Sequence, residues 1–169
     1  PADLHWCLYG VPEQLECDAT QEVYWEFQKF IVLALKANPN VLECLYSPIV
    51  ETMTPLAKEL IGLRERFLSK LVYQTYSGYV LSQFRKMQAD LRNQGRIKWK
   101  HVMHLIRLLN SAITVLRDGH VPVHVESNRD LLLSIRNGDL PFDEVELLRQ
   151  RLHEELDQAY SNTHLPERP

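Results

Sequence analysis

The segment Lys98-Trp-Lys-His-Val-Met-His-Leu-Ile-Arg107 gathers two lysines, two histidines and an arginine. On a helix, Lys100, His104 and Arg107 follow one another at steps of four and three residues and so share a face. Ammonium and guanidinium groups donate to phosphate oxygens, and an imidazole beside them can donate or accept, so this trio suits an anion such as a phosphate chain. The same spacing also describes an ordinary solvated basic face. Lys98 and His101 flank the trio, where they either reach the same anion or border the core. His101 and His104 have no other Cys or His at ligand spacing, which disfavours zinc.

A helix must present those groups, and the sequence writes one. Val102, Leu105, Ile106, Leu109, Ile113 and Leu116 recur at three- and four-residue steps and form a buried stripe opposite the cations. Gly119 stops it. Further helices follow from the same periodicity. Val23, Phe27, Phe30, Ile31 and Ala34 predict a first helix ended by Asn38-Pro39, and Asn40 is placed to cap a short second one over 41–45. Thr54-Pro55 starts a third, which carries Leu56, Leu60, Leu63 and Phe67. Tyr73, Tyr76, Val80, Phe84, Met87 and Leu91 predict a fourth that closes near Gly95. Asp130 to Ile135 reads as a short helix stopped by Gly138, and Pro141 to Tyr160 as the last, before an irregular tail. Before Thr20 the pattern changes: Leu4, Trp6 and Leu8 alternate as in a strand, with Leu15 to Asp18 and Val121 to Val125 as the other short extended candidates.

Composition limits the function classes. The chain has 169 residues, 45% of them apolar, and a formal net charge of −3, enough apolar material for one compact core and too little positive charge for a generally basic nucleic-acid binder. Any nucleic-acid contact must be local. Cys7, Cys17 and Cys44 are odd in number and lack CxxC spacing, so free thiols in a reducing, cytoplasmic setting are expected. No apolar run approaches the roughly 20 residues of a membrane span, and no membrane partner is expected.

Inside the fourth helix lies Thr75-Tyr-Ser-Gly-Tyr79, followed by Gln83 on the face of Tyr79. A glycine there costs about 1 kcal/mol relative to alanine, so Gly78 is expected either to admit a neighbouring helix or to leave room for a base stacked on Tyr76 or Tyr79. The alternative is a pair of tyrosines buried at helix contacts.

Five blocks, Tyr24-Trp-Glu-Phe-Gln-Lys-Phe30, Asn38-Pro-Asn-Val-Leu-Glu43, Thr75 to Tyr79, Lys98 to Leu109 and Leu132-Leu-Ser-Ile-Arg-Asn-Gly138, resemble, in order, the RNA-repair-associated nucleotidyltransferases of the DNA polymerase beta superfamily. The closing Thr163-His-Leu-Pro-Glu-Arg-Pro169 fits the same pattern. The resemblance implies a palm-type α/β catalytic half followed by a helical half, and transfer of a nucleotide from a nucleoside triphosphate with magnesium. It further implies that Lys100, His104 and Arg107 meet the triphosphate, with Lys98 and His101 on the flank of the same helix, and that Asp18 is the third palm carboxylate, both catalytic residue and metal ligand. Glu16 and Glu22 are alternatives to Asp18, whose other reading is a helix cap with Gln21 as its box partner. The family's Gly-Ser turn and Asp-x-Asp pair occur nowhere in the chain. The expectation is therefore the C-terminal two thirds of such an enzyme, either a fragment or a relative that has lost the chemistry.

The fold expected is mainly α, a helical bundle with a short N-terminal β element that is the remainder of a palm-type α/β domain. Residues 1–22 form the remnant of the palm sheet and 23–169 a helical nucleotide- and substrate-binding domain. The function expected is nucleotidyl transfer to a hydroxyl such as an RNA end, with Mg2+ as cofactor. The alternative is a noncatalytic helical module that binds nucleotide, RNA or a protein partner.

Overall fold

The computed structural model describes residues 12–125 and 128–169. The architecture is mainly α, with seven α-helices and one two-stranded antiparallel sheet among the described residues. The alternating Leu4, Trp6 and Leu8 lie outside them. No helix is long and apolar enough to cross a membrane.

Strands β1 (Gln14–Cys17) and β2 (Glu22–Trp25) pair with Gln14 opposite Trp25 and Cys17 opposite Glu22. The turn between them puts Gln21 in the left-handed region at φ 57°, and its side-chain amide donates to the Asp18 carbonyl at 2.8 Å. Val23 therefore belongs to a strand rather than to the first helix. Cross-strand pairing overrides the helical spacing that Val23 shares with Phe27. Helix α1 (Phe27–Leu35) starts after Glu26, whose carboxylate accepts from the Gln28 and Lys29 amides. Asp18 is thus a turn residue and caps nothing. In α2 (Pro39–Tyr46) the cap is Asn38, not Asn40: its Oδ1 accepts from the Asn40 and Val41 amides, and Pro39 occupies the first helical position. Thr54 caps α3 (Pro55–Gly62) as its Thr-Pro pair predicts. A 3-10 turn, Arg64–Phe67, then leads to the long helices.

Those are α4 (Leu71–Gln94), α5 (Trp99–Asp118), α6 (Arg129–Asn137) and α7 (Phe142–Asn162). Gly95, Gly119 and Gly138 close α4, α5 and α6, each in the left-handed conformation that glycine adopts without steric penalty. Val121 to Val125, expected to be extended, carries no regular secondary structure and pairs with no described strand. Helix α5 is central, packed on α4, α6 and α7. Besides the expected stripe it buries Leu108, Ser111, Ala112 and Val115, so far more of its circumference is covered than one amphipathic face requires.

Two contacts fix where α5 begins. Trp99 meets the ring of Phe142 edge-on at 6.5 Å between centroids and lies against Gly138, where an added Cβ would stand 2.8 Å from Trp99 Nε1. The tail beyond α7 has no regular structure, yet it is docked. Thr163 donates its hydroxyl to the Leu116 carbonyl, and the Lys70 amide donates to the Pro166 carbonyl at 2.9 Å; within the last turns of α7 itself, Tyr160 stacks on Tyr73 at 4.4 Å. Gly78 is exposed, and a Cβ there would meet nothing within 4 Å, so no neighbouring helix requires it.

The two glycines should respond in opposite directions. Gly138→Ala combines backbone strain with displacement of Trp99 and is expected to lower stability by about 1–3 kcal/mol. Gly78→Ala removes only helix-interior flexibility and is expected to raise it by about 0.5–1 kcal/mol. Urea denaturation of both variants beside the parent checks the signs.

Candidate functional site

The site is built on the first half of α5. Lys98 sits at its N-cap position without a capping side chain, so the leading backbone N–H groups carry the positive end of the helix dipole unopposed. Lys98 and Lys100 are exposed, and neither pairs with a described carboxylate. One turn on, the half-buried rings of His101 and His104 lie 6.5 Å apart. His101 Nε2 is 3.3 Å from the Gln83 side-chain oxygen on α4.

Arg107 is not a free cation. Its guanidinium forms a fork with Glu43 of α2, Nη1 to Oε1 at 2.6 Å and Nη2 to Oε2 at 3.3 Å. Both side chains retain only 24% of their exposure, so the pair is partly withdrawn from water and the carboxylate already compensates the charge that a triphosphate would need. Lys100 and Arg107, expected to act together, therefore separate: one is open and one is neutralised.

Arg107 Nη2 also lies 3.2 Å from His104 Nδ1. A guanidinium only donates, so that contact assigns Nδ1 as acceptor and the ring proton to Nε2. Burial, then the neighbouring Arg107 charge, lowers the His104 pKa below its usual value. The imidazole is neutral and offers an N–H donor.

The two tyrosines also part. Tyr76 is 0% exposed, its hydroxyl has no partner among the described residues, and burial and the Glu43 carboxylate hold its phenol protonated well above the usual pKa. It is a core residue, leaving no ring face for a base. Tyr79 is 42% exposed and does present one. Asp18 is exposed in the hairpin turn, and among the described residues no group of three or more His, Cys, Asp or Glu side chains could hold a metal ion. The donor set present does not fit a magnesium centre. Cys17 and Cys44 are free thiols; Cys7 lies outside the described residues.

The structure adds groups that spacing did not single out. Glu43 lies 64 positions from Arg107, and nothing local in either segment announces the pairing. Further along α5, Arg107, Asn110, Ser111 and Thr114 line a cavity of about 90 Å3 with His124 and Asn128; the buried Ser111 hydroxyl has no partner among the described residues.

Comparison with known proteins gives one match. A family model described as RlaP, RNA repair pathway DNA polymerase beta family, matches residues 1–169, the whole chain. No curated protein and no solved structure matches.

The Arg107–Glu43 fork should behave as one energetic unit. Arg107→Ala and Glu43→Ala are each expected to cost about 1–3 kcal/mol, because each strands a half-buried charge, and the double variant should cost less than their sum by about 0.5–3 kcal/mol. A double-mutant cycle in urea measures this coupling. The histidines set a pH dependence. His104 and His153 both have depressed pKa values, with burial the leading cause, so below about pH 6.5 the unfolded chain binds more protons than the folded one. Thermal stability should therefore fall as pH drops from about 6.5, and His104→Gln should flatten part of that slope.

Proposed function

Because the chain belongs to the RNA repair pathway DNA polymerase beta family, we propose that it holds a nucleoside triphosphate for nucleotidyl transfer to a hydroxyl at an RNA end. The observation that carries the reading is the open N terminus of α5, where Lys98 and Lys100 stand exposed, without an ion-pair partner among the described residues, on the helix that carries the neutral His104. In this reading the two ammonium groups and the uncapped backbone amides meet the triphosphate, and His104 Nε2–H donates to one of its oxygens. Arg107 contributes by position. Held by Glu43, it fixes the His104 tautomer rather than contacting phosphate itself.

In such a transfer the acceptor oxygen bonds to the α-phosphorus and gives up its proton, and the bond from that phosphorus to the pyrophosphate oxygen breaks. Negative charge accumulates on the leaving pyrophosphate, and cations preplaced beside it lower the barrier. Asp18 alone is a poor magnesium ligand set, so the role assigned to these residues is binding and charge compensation. The lack of a carboxylate cluster among the described residues favours a second reading, in which the same helix serves a noncatalytic module that binds nucleotide.

A thermal-shift series with ATP, GTP, CTP and UTP, with and without magnesium, tests the binding step. At about 100 times its dissociation constant a one-site ligand adds roughly 2.7 kcal/mol to stability. At least one triphosphate is expected to stabilise the chain, with the effect lost in Lys98→Ala/Lys100→Ala and retained in Glu43→Gln at reduced baseline stability. No shift with any nucleotide would overturn the reading. With a shift in hand, pyrophosphate release in the presence of an RNA acceptor separates the transferase from the binding module.

A further inference from the structure

We propose that the corner between α4 and α5 is the docking surface for the phosphate backbone of RNA. Residues 85–100 hold Arg85, Lys86, Arg92, Arg96, Lys98 and Lys100 against the single acidic Asp90, a balance of 6 − 1 = +5. The whole chain carries −3, so the remaining 153 residues carry −3 − 5 = −8. Charge is segregated along the chain: one short positive stretch, at the corner where α4 gives way to α5, belongs to an otherwise negative protein, the arrangement that steers a polyanion to one place and repels it elsewhere.

Local structure keeps the corner open. All six basic side chains are exposed, and none is ion-paired among the described side chains, which do not include that of Asp90. Arg85 and Arg92 are seven residues apart, two helical turns along one face of α4 and about 10.5 Å along its axis. Gly95, at φ 63°, then reverses the chain through Arg96 towards Lys98 and the start of α5. Lys98 and Lys100, assigned above to the triphosphate, follow Arg96 by two and four residues, so the corner adjoins them along the chain. Asp143 and Glu146 border the groove beside Arg92, but Glu146 is committed to Arg149 at 2.6 Å, and Asp143 forms no ion pair with a described residue.

The character of the surface selects its partner. A membrane-lying helix needs a large apolar face beside its cations, and no large exposed hydrophobic residue lies between Tyr79 and Leu131 among the described residues. Three of the four cations not assigned to the triphosphate are arginines, whose planar fork matches phosphate oxygens. That the polymer is RNA rather than another polyanion rests on the function proposed above.

Fluorescence anisotropy with a labelled, unstructured 20-nucleotide RNA tests the inference on the full chain. If Arg85, Lys86, Arg92 and Arg96 each neutralise one phosphate, the dissociation constant should rise on the order of 50-fold between 50 and 200 mM KCl, from a slope of about −0.7 per contact. In Arg85→Gln/Arg92→Gln/Arg96→Gln that rise should shrink to about 3-fold, with the melting temperature near that of the parent. The triple variant should keep any triphosphate-induced thermal shift, because Lys98 and Lys100 are intact. Unchanged RNA affinity and salt slope in the triple variant would overturn the proposal. So would polyglutamate of equal charge, or phosphatidylserine vesicles, binding as tightly as RNA. RNA binding that follows these residues while no nucleotide shifts stability would leave the docking surface standing and remove the triphosphate site.

Discussion

The burial of α5 on several sides is the constraint from which the rest of the molecule follows. Packed on α4, α6 and α7, this helix buries Leu105, Ile106, Leu109, Ala112 and Leu116, all at or near zero exposure. Apolar residues of this size contribute roughly 1.5–3 kcal/mol each when removed from water. A helix so enclosed has only a narrow strip left for polar groups, and those on the strip cannot move aside. Arg107 falls where the strip is closing over, so its charge requires a partner inside the protein. Glu43 supplies it, and in doing so ties α2 to the bundle. At the other end, Trp99, held between Gly138 and Phe142, sets the point at which Lys98 and Lys100 emerge into solvent.

Two kinds of cation result from one stretch of sequence. The inner one is neutralised and organises its neighbours: it holds the His104 tautomer and lowers that ring's affinity for a proton. The outer ones are exposed and have no carboxylate partner among the described residues. A basic helix read only as a count of positive charges conceals this division, which bears directly on which side chains can meet a phosphate.

Much of the fold was legible because its signals are local. Thr54-Pro55 marks a helix start, and Gly95, Gly119 and Gly138 mark helix ends through backbone geometry that needs no partner. The core stripe of α5 was legible from period alone. What escaped depends on distant contacts. Val23 has helical spacing with Phe27, but its pairing with Glu16 across the hairpin decides its conformation. Leu108, Ala112 and Val115 are buried because α5 has neighbours on more than one side, which periodicity cannot count. The site was half legible: the cations and histidines were visible as a cluster, whereas the neutralisation of Arg107 and the withdrawal of Tyr76 into the core both arise from helices far away in sequence.

The docked tail has a consequence for how the molecule comes apart. Chain ends are ordinarily where a fold frays first, but here the last segment bridges the residue before α4, Lys70, and the end of α5, through Leu116, while α7 itself holds Tyr73 through Tyr160. The final helix therefore cannot peel away without first releasing two others. The hairpin strands and the stretch around Ile49 and Val50 are exposed by comparison. The tail thereby ties together the ends of α4 and α5 that lie away from the cations, at Lys70 and Leu116.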